Sequence, residues 1–531
     1  MSDSRPRNMD EVRAAELLAG LCLGTDLGRG FPLEHGLHST LVATRLCERL
    51  GVDERVAAET YYGCLLFYVG CTADAEIAAD LFEEGMLSRY FDPVIFGGPV
   101  ESFGGVVRAL AGPGPSPAQV GRVVRRLPRA VVGHRRHMAA LCEVGRMLSD
   151  RMGVGPDVPS LFTAFTERWD GHGEPGSLRG DQLPLPLRIM QVARDATYQL
   201  LVGGLVHAER AMARRAGRAF DPAVVAAVTA DAEAVLHAPS DGSAWDAVLA
   251  AEPGPPLMLG TDAIDRALSA MGDFADLVSP YLVGHSSGVA ELAVAAGRSC
   301  GLPDDRVRDL RRAAAIHDVG RVAVSAAVWQ KAGPLTTDER ERVRLHAYHG
   351  ERALCRSPFL ARLLPVATAH HERLDGSGYH RGSTASALTP AARLLAAADV
   401  YQAMIEPRPH RPALSPSQAA DTLTAEVASG RLDDTSVAAV LSAAGQSSPR
   451  RERPAGLTER EMHVLVLIAR GLQTKQVARL LGISRKTADH HVQHTYAKIG
   501  VSTRAAAAVF AMEHGLLLWG EFPIPAAGPR S

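Results

Sequence analysis

The chain has 531 residues, which is enough for about two to four domains that each bury their own core. Its formal net charge is -2 at neutral pH, so the chain as a whole has no general affinity for nucleic acid or membranes, and any such affinity must be local. Seven cysteines without a CxxC pair favour reduced thiols over a disulfide framework.

The first residues of the sequence do not predict an export signal. Residues 1–7 lack the apolar stretch of a signal peptide, and no run of about 18 apolar residues predicts a membrane span. We therefore expect a cytoplasmic protein with no membrane partner. Richness in Ala, Leu, Arg and Val, with few alternating β-branched runs, favours an all-α fold: two helical domains followed by a small helix-turn-helix bundle.

The first predicted domain covers residues 1–205. It contains a GVDERV segment at residues 51–56, an apolar run ending at Gly70, and an ERWDGHG segment at residues 167–173. Residues 206–255 are helix-forming and close with a Pro-Gly-Pro-Pro turn at residues 253–256, so they are predicted to be a helical connector.

The second predicted domain, residues 256–445, holds residue types that bind metals. A His-Asp pair ends the apolar helical run that begins at Ala313, where buried charged groups need partners. Two adjacent histidines precede a Gly-containing turn, and a late Asp lies in an apolar segment. Imidazole and carboxylate suit first-row divalent cations, and a carboxylate can bridge two of them. The candidate ligands are His285, His317, Asp318, His346, His370, His371 and Asp399.

These residues resemble the motif of the HD-GYP family, metal-dependent phosphohydrolases that include cyclic di-GMP phosphodiesterases. The resemblance covers residues 280–445 and implies two divalent metal ions, Fe, Mn or similar. It places His285, His317, Asp318 and Asp399 around one ion, and Asp318, His346, His370 and His371 around the other. Arg321 stands where the family has Lys, and His380 where it has the Pro of GYP. Asp318 and Arg321 are the predicted catalytic residues, with Arg321 on phosphate.

The first domain looks like a degenerate copy of the second. The GVDERV segment aligns with the segment beginning at Gly301, and ERWDGHG aligns with ERLDGSG at residues 372–378. This alignment puts Phe67 and Tyr68 opposite the His-Asp pair and Arg194 opposite Asp399. We expect His38 and His134 to take the places of His285 and His346. Residues 1–205 are therefore predicted to keep an HD-GYP-like helical scaffold without metals.

A Pro-rich and charged linker, residues 446–455, precedes a locally basic segment at residues 456–520, and residues 521–531 form a tail. Thr458 and Glu461 form a predicted capping box, and Gly471, Gly482 and Gly500 end three successive helices. This pattern resembles the LuxR-type helix-turn-helix family, which implies dimeric binding of double-stranded DNA. The matching DNA-facing positions are Lys475, Arg485, Lys486, Thr487, His491 and Lys498.

The sequence thus predicts a homodimeric transcription regulator that carries a phosphodiesterase-like domain, with cyclic di-GMP as a candidate substrate. One alternative is a sensor that binds a phosphoester or cyclic nucleotide at the metal site without hydrolysing it and so controls DNA binding. A further alternative is that both helical domains serve only for dimerisation.

Overall fold

The computed structural model of the protein describes residues 11–73, 75–83, 85–238, 243–445 and 454–517. The chain divides into two compact units, Met1–Ile264 and Asp265–Ser531. Regular structure in the described residues is almost entirely helical, which confirms the all-α prediction. The exception is a two-stranded antiparallel sheet of β1 (Val12–Arg13) and β2 (Met258–Leu259), in which Val12 lies opposite Leu259.

The first unit is a helical bundle. Its helices are α1 (Ala14–Arg29), α2 (His35–Leu50), α3 (Glu54–Leu65), α4 (Ala75–Leu81), α5 (Met86–Tyr90), α6 (Pro99–Ala111), α7 (Ser116–Asp150), α8 (Asp157–Leu161), α9 (Leu185–Arg215), α10 (Pro222–Thr229), α11 (Ala232–Leu236) and α12 (Ala244–Ala250). The expected boundary at residue 205 falls inside α9. Helices α10 and α12 pack on α9 and α2, so the expected connector contributes to this unit.

Helix α13 (Thr261–Asp276) begins at the division between the units, and the second unit continues with further helices. They are α14 (His285–Ser299), α15 (Asp304–Ile316), α16 (Ala326–Trp329), α17 (Thr337–Arg344), α18 (His346–Leu354), α19 (Pro358–Ala361), α20 (Leu364–Ala367), α21 (Pro390–Ile405), α22 (Pro416–Ala428), α23 (Asp434–Ala444), α24 (Glu459–Ala469), α25 (Thr474–Leu480), α26 (Arg485–Ile499) and α27 (Arg504–Glu513).

The core of the second unit joins α14, α15, α21 and α23 through small and branched apolar side chains. Helix α21 starts sharply because Pro390 follows Thr389, whose hydroxyl accepts a hydrogen bond from Ala392 N (3.2 Å). Its buried alanines allow α14 to approach closely, and Asp399 lies on this buried part of the helix. The packing of α21 against α14 therefore buries the Asp399 carboxylate.

Capping residues and glycines in the local sequence determine where the helices of the C-terminal bundle begin and end. Thr458 and Glu461 make the predicted capping box at the start of α24, and Ser484 accepts Thr487 N (3.0 Å) to cap α26. Gly500 ends α26 with a left-handed φ of 68°. Apolar residues of α24, α25 and α26 form a separate small core. The helix-turn-helix prediction is confirmed.

Two further observations concern the whole chain. All seven cysteines are unpaired thiols; Cys22, Cys47 and Cys64 are buried, whereas Cys300 and Cys355 are exposed. None of the helices in the described ranges has the length and apolar character needed to cross a membrane.

Candidate metal centre

The seven predicted ligands come from five places in the fold. His285 is the first residue of α14, His346 is the first residue of α18, and Asp399 lies within α21. The His-Asp pair His317 and Asp318 follows α15 directly, and the His-His pair His370 and His371 lies in the turn after α20. Helix ends position six of the seven side chains, so the site depends on where these helices stop.

The structure brings all seven side chains together as two groups. Within each group, one ligand atom from every member lies within 4.8 Å of the others. The first group is His285, His317, Asp318 and Asp399; the second is His346, His370 and His371.

Asp318 joins the two groups because its carboxylate oxygens face opposite ways. Its Oδ2 lies 2.8 Å from His317 Nε2 and 3.5 Å from His285 Nε2. Its Oδ1 lies 3.1 Å from His346 Nε2 and 3.5 Å from His370 Nε2. A carboxylate with one oxygen toward each group has the geometry of a ligand that bridges two cations.

Asp399 completes the first group and reaches toward the second. Its Oδ1 lies 3.0 Å from His285 Nε2 and 3.8 Å from His317 Nε2. Its Oδ2 lies 3.6 Å from His371 Nδ1. All the ligand side chains except that of His371, which is 18% exposed, are almost fully buried.

The histidine rings are fixed by contacts at their outer nitrogens. The Nδ1 atoms of His317, His346 and His370 face the backbone carbonyls of Ala314, Val343 and Ala367 at 2.6 to 2.7 Å. A carbonyl only accepts, so each Nδ1 carries a proton, and each Nε2 presents a lone pair to the centre when its ring is neutral. This is the tautomer that a metal ligand needs.

Those inward lone pairs face other acceptors. His346 Nε2 and His370 Nε2 are 3.0 Å apart, and His317 Nε2 lies 2.8 Å from a carboxylate oxygen of Asp318. His317 Nε2 and both oxygens of Asp318 are buried without a hydrogen bond of normal geometry. Buried acceptors that face each other are costly unless a cation lies between them. The residues therefore fit two bound divalent ions.

The protonation states suit the same role. Burial opposes ionisation of Asp318, but Arg321 and His317 outweigh it and hold the pKa of Asp318 well below its usual range. Burial also opposes protonation of His317, yet Asp318 raises the pKa of His317 to about 10. Burial lowers the pKa of His370 to about 4. The acid is thus ionised and His370 neutral at neutral pH, whereas His317 holds a second proton that a bound cation would displace.

Glu406 is a functional residue that the sequence prediction missed. Its Oε2 lies 2.8 Å from His285 Nδ1, and it also accepts hydrogen bonds from Gln402 (2.8 Å) and Arg408 (2.9 Å). A carboxylate behind a ligand histidine orients the ring and raises its basicity. Glu406 follows Asp399 by seven residues, two helical turns, and that spacing was the available signal.

Arg321 lies at the edge of the centre. Its Nη2 is 2.5 Å from Asp318 Oδ2, and its guanidinium lies 5.6 Å from the Trp329 ring centroid. Trp329 Nε1 donates to the Arg321 carbonyl at 3.1 Å. The Arg321 Nε and Nη1 atoms are buried without a hydrogen-bond partner. They leave donor capacity for an anion beside the two metal groups.

The turn after the His-His pair is held by Glu372. Its carboxylate accepts hydrogen bonds from the backbone N of Arg381 (2.8 Å) and of Ser383 (2.7 Å). Tyr379, from the same turn, stacks on the His371 ring with centroids 4.6 Å apart. The motif residues outside the ligand set therefore keep His371 in place.

The first unit contains a turn built in the same way. Glu167 accepts from Ser177 N (2.7 Å), just as Glu372 holds its own turn. Gly173 and Gly378 each approach the preceding backbone so closely that an added Cβ would lie 2.5 Å from the Cα of Glu167 or Glu372. The aligned segments thus share a conformation as well as a sequence.

Helix starts identify the counterpart of His285. Helices α2 and α14 begin at His35 and His285, and in both an acid nine residues before the histidine accepts a hydrogen bond from the backbone N–H of the residue after it. These bonds are Gly36 N to Asp26 Oδ1 (3.1 Å) and Ser286 N to Asp276 Oδ2 (2.8 Å). His38 instead places its Nε2 3.0 Å from Leu236 O. The expectation that His38 takes the place of His285 was wrong, because the two helices align at their first residues.

His134 does not take the place of His346 either. Gly70 packs against the carbonyl of Leu141 as Gly320 packs against the carbonyl of His346. Leu141 is therefore the counterpart, and His134 is 47% exposed and 3.9 Å from Glu174.

The first unit contains a buried arginine, Arg194. The Arg194 guanidinium lies 5.2 Å from the Phe67 ring centroid and 5.0 Å from that of Tyr68, and its Nε donates to the Tyr68 hydroxyl at 2.6 Å. Both clusters of potential metal ligands found among the described residues lie in the second unit. Arg194 is thus a buried cation held by aromatic rings.

The predicted DNA-facing residues lie on α25 and α26. Lys475, Arg485, Lys486 and Thr487 are exposed, and His491 is partly exposed. Lys498 differs from the other cations because its Nζ pairs with Glu461 Oε2 at 2.7 Å and contacts Gly456 O at 3.2 Å. Lys498 therefore stabilises the bundle from within its own domain.

Comparisons with known proteins agree with this architecture. Residues 269–436 match the HD domain family, and residues 455–511 match the bacterial regulatory proteins of the luxR family. The chain is 28% identical over 415 residues to 3'3'-cGAMP-specific phosphodiesterase 3 of Vibrio cholerae, covering 75% of this chain and 88% of that relative. It is 38% identical over 133 residues to a cyclic di-GMP phosphodiesterase of Pseudomonas aeruginosa, covering 25% of this chain and 32% of the relative.

A solved structure shares the fold. The crystal structure of a cyclic GMP-AMP specific phosphodiesterase of V. cholerae, V-cGAP3, superposes with a TM-score of 0.56 at 23% identity, covering 82% of this chain and 99% of that one. The chain therefore carries an HD domain at residues 269–436 that is similar to cyclic-dinucleotide phosphodiesterases, followed by a luxR-family helix-turn-helix domain at residues 455–511.

Proposed function

We propose that the second unit hydrolyses a phosphodiester bond of a cyclic dinucleotide with two divalent cations, and that the same chain binds double-stranded DNA as a homodimer. The observation that carries the enzymatic part is Asp318, whose two oxygens face two separate groups of inward lone pairs. The alternative of a sensor without turnover has no such specific support.

The ligand roles follow from the two groups. His285, His317, Asp318 and Asp399 would hold one ion. Asp318, His346, His370 and His371 would hold the other. Bound ions of this kind polarise a phosphoryl oxygen and supply a nucleophile from water at neutral pH. Iron or manganese suits this mixed imidazole and carboxylate set.

Arg321 would bind the scissile phosphate. Its Nε and Nη1 atoms have no hydrogen-bond partner, so each can donate to a phosphate oxygen. Trp329 would hold the guanidinium through its ring and its hydrogen bond to the Arg321 carbonyl. Arg321 would also keep Asp318 ionised when no substrate is bound.

The substrate class comes from the relatives. One covers most of this chain and is named for 3'3'-cGAMP, and another is named for cyclic di-GMP. Both ligands carry two phosphodiesters that an arginine and two cations can hold. We place this activity in the cytoplasm, where seven unpaired thiols stay reduced.

The test uses the full chain loaded with Mn2+ or Fe2+ and supplied with 3'3'-cGAMP, cyclic di-GMP or a simple aryl phosphodiester. We expect hydrolysis of at least one cyclic dinucleotide and loss of turnover in a His317→Ala, Asp318→Ala double variant. The exposed His134→Ala variant is the matched control and should keep full activity. Equal turnover in the double variant would refute the enzymatic proposal, and ligand binding without product would favour the sensor.

DNA binding is assigned to the exposed cations of α25 and α26. Replacing Lys475, Arg485 and Lys486 with Ala should weaken binding to duplex DNA and flatten its salt dependence, because fewer counterions are released. Arg306→Ala, an exposed cation on α15, is the control. Sedimentation with and without DNA tests the homodimer. Unchanged affinity in the triple variant would refute this assignment.

The first unit is proposed to be an HD-type scaffold without metals. The support is the shared turn, the shared helix start and Arg194, whose charge would repel a cation. Metal analysis of the full chain should give about two ions per chain, both lost in the His317→Ala, Asp318→Ala variant. Binding of about four would contradict the proposal.

A further inference from the structure

The loop that precedes metal ligand His285 also touches the DNA-binding bundle within the second unit. Pro280 packs on Gly471, at the end of α24, so that an added Cβ on Gly471 would lie 2.7 Å from the Pro280 Cβ. Leu517, which follows α27, packs on Gly284, and an added Cβ there would lie 3.0 Å from the Leu517 Cβ. The contact is made at both ends of a five-residue stretch.

Both glycines are needed for this approach. Gly471 and Gly284 have φ values of 87° and 84°, in the left-handed region that favours glycine, and neither carries a side chain that would separate the surfaces. On the bundle side, Arg504 donates to the Gly471 carbonyl (2.7 Å) and Arg470 to the Leu517 carbonyl (3.0 Å). The two contact points are therefore rigidly tied to the bundle.

The same loop is tied to the metal centre. Gly284 is followed directly by His285, whose Nε2 is 3.0 Å from Asp399 and whose Nδ1 is 2.8 Å from Glu406. Arg408 pairs with Glu406 (2.9 Å) and donates to the Tyr281 carbonyl (2.5 Å) in the middle of the loop. One carboxylate thus links a metal ligand to the segment on which the DNA-binding bundle lies.

We infer that residues 280–284 couple occupancy of the metal centre to the position of the DNA-binding bundle, so that metal binding and DNA binding change each other's affinity. A cation held by the first group would bind His285 Nε2, which now lies 3.0 Å from Asp399. The ring, its Glu406 partner and the adjoining Gly284 then adjust together, and Leu517 and Pro280 transmit the change. This inference rests on the proposed metal site and adds its regulation.

The coupling is reciprocal by thermodynamic necessity. If Mn2+ changes the affinity of the chain for DNA by some factor, DNA changes the affinity for Mn2+ by the same factor. A typical coupling of this kind is about fivefold or more. Two independent titrations therefore measure one quantity.

The test uses the full chain, Mn2+ alone and a short labelled DNA duplex of mixed sequence at low salt. DNA affinity is measured with and without Mn2+, and Mn2+ affinity with and without DNA. We expect both to shift by about fivefold or more in the native chain. The shift should vanish in Pro280→Gln and separately in Leu517→Gln, which alter the contact from opposite sides, while both variants still bind Mn2+ and DNA.

Pro412→Gln, an exposed proline in the same unit, is the control and should keep the coupling. The His317→Ala, Asp318→Ala variant excludes direct effects of Mn2+ on DNA. No shift in a native chain that binds and hydrolyses normally would overturn this inference and leave the proposed function standing. A shift that persists in both contact variants would also overturn it. A native chain that binds no Mn2+ would refute the proposed function itself.

Discussion

The substitution Glu406→Gln tests how the carboxylate of Glu406 orients metal ligand His285. The substitution keeps an oxygen that can accept from His285 Nδ1, now 2.8 Å away, but removes the negative charge that faces both His285 and Arg408. Burial works against that charge, and His285 and Arg408 nevertheless lower the pKa of Glu406 to about 2, so the carboxylate is ionised at neutral pH.

The expected magnitude follows from this position. Loss of a carboxylate behind a ligand histidine costs about 10- to 100-fold in metal affinity, or roughly 1.4 to 2.7 kcal/mol. Only the group containing His285 is in contact with Glu406. We therefore expect one weakened ion and one unchanged ion, rather than uniform loss of both.

The assay is calorimetric titration of the metal-free chain with Mn2+, together with metal analysis after dialysis. Glu426→Gln is the matched control, because Glu426, on α22, pairs with Arg431 and has no contact with the ligands. Two ions bound by Glu406→Gln with native affinity would refute the argument that Glu406 orients His285.

Three further outcomes are expected. Arg321→Met should lower kcat/KM by roughly 10- to 100-fold, and Arg321→Lys should recover part of that loss; native kinetics in Arg321→Met would exclude a role on phosphate. Gly378→Ala should destabilise the second unit by about 1–3 kcal/mol and impair metal binding, because its Cβ would lie 2.5 Å from Glu372 Cα. The melting temperature is compared with that of Gly333→Ala, a control position with open space around it. Equal melting temperatures of the two variants would contradict the clash. Burial opposes ionisation of Glu461, but Lys498 and the Thr458 backbone hold the pKa of Glu461 below its usual value. The contribution of Glu461 to the free energy of unfolding should thus be complete above about pH 4.3 and decrease as the pH falls further. Hydrogen exchange of the α24 amides should show this pH-dependent loss of protection in the native chain and not in Glu461→Gln.

Much of the site could be predicted because metal binding requires particular residue types, which the sequence shows directly. An adjacent His-Asp pair at the end of an apolar helix and an adjacent His-His pair before a glycine turn are rare as surface features, and each needs a partner once buried. The bounds of α24, α25 and α26 were also predictable, since capping residues and glycines act within one turn of the helix.

Contacts between distant segments could not be predicted in this way. Whether His35 or His38 matches His285 depends on which residue begins α2, and that is set by Asp26 holding the backbone at Gly36. Lys498 has the position of a DNA-facing cation in the sequence, but Glu461, 37 residues earlier, pairs with it in the fold.

The sequence by itself determined the all-α class, the ligand types and the helix-turn-helix, because these depend on periodicity, local capping and the chemistry of single side chains. Only the tertiary structure decided that the two oxygens of Asp318 face different groups, that Glu406 lies behind His285, and that Pro280 and Leu517 join the metal domain to the DNA-binding bundle. The physical reason is that these relations depend on the packing of helices from remote parts of the chain, which no local pattern encodes.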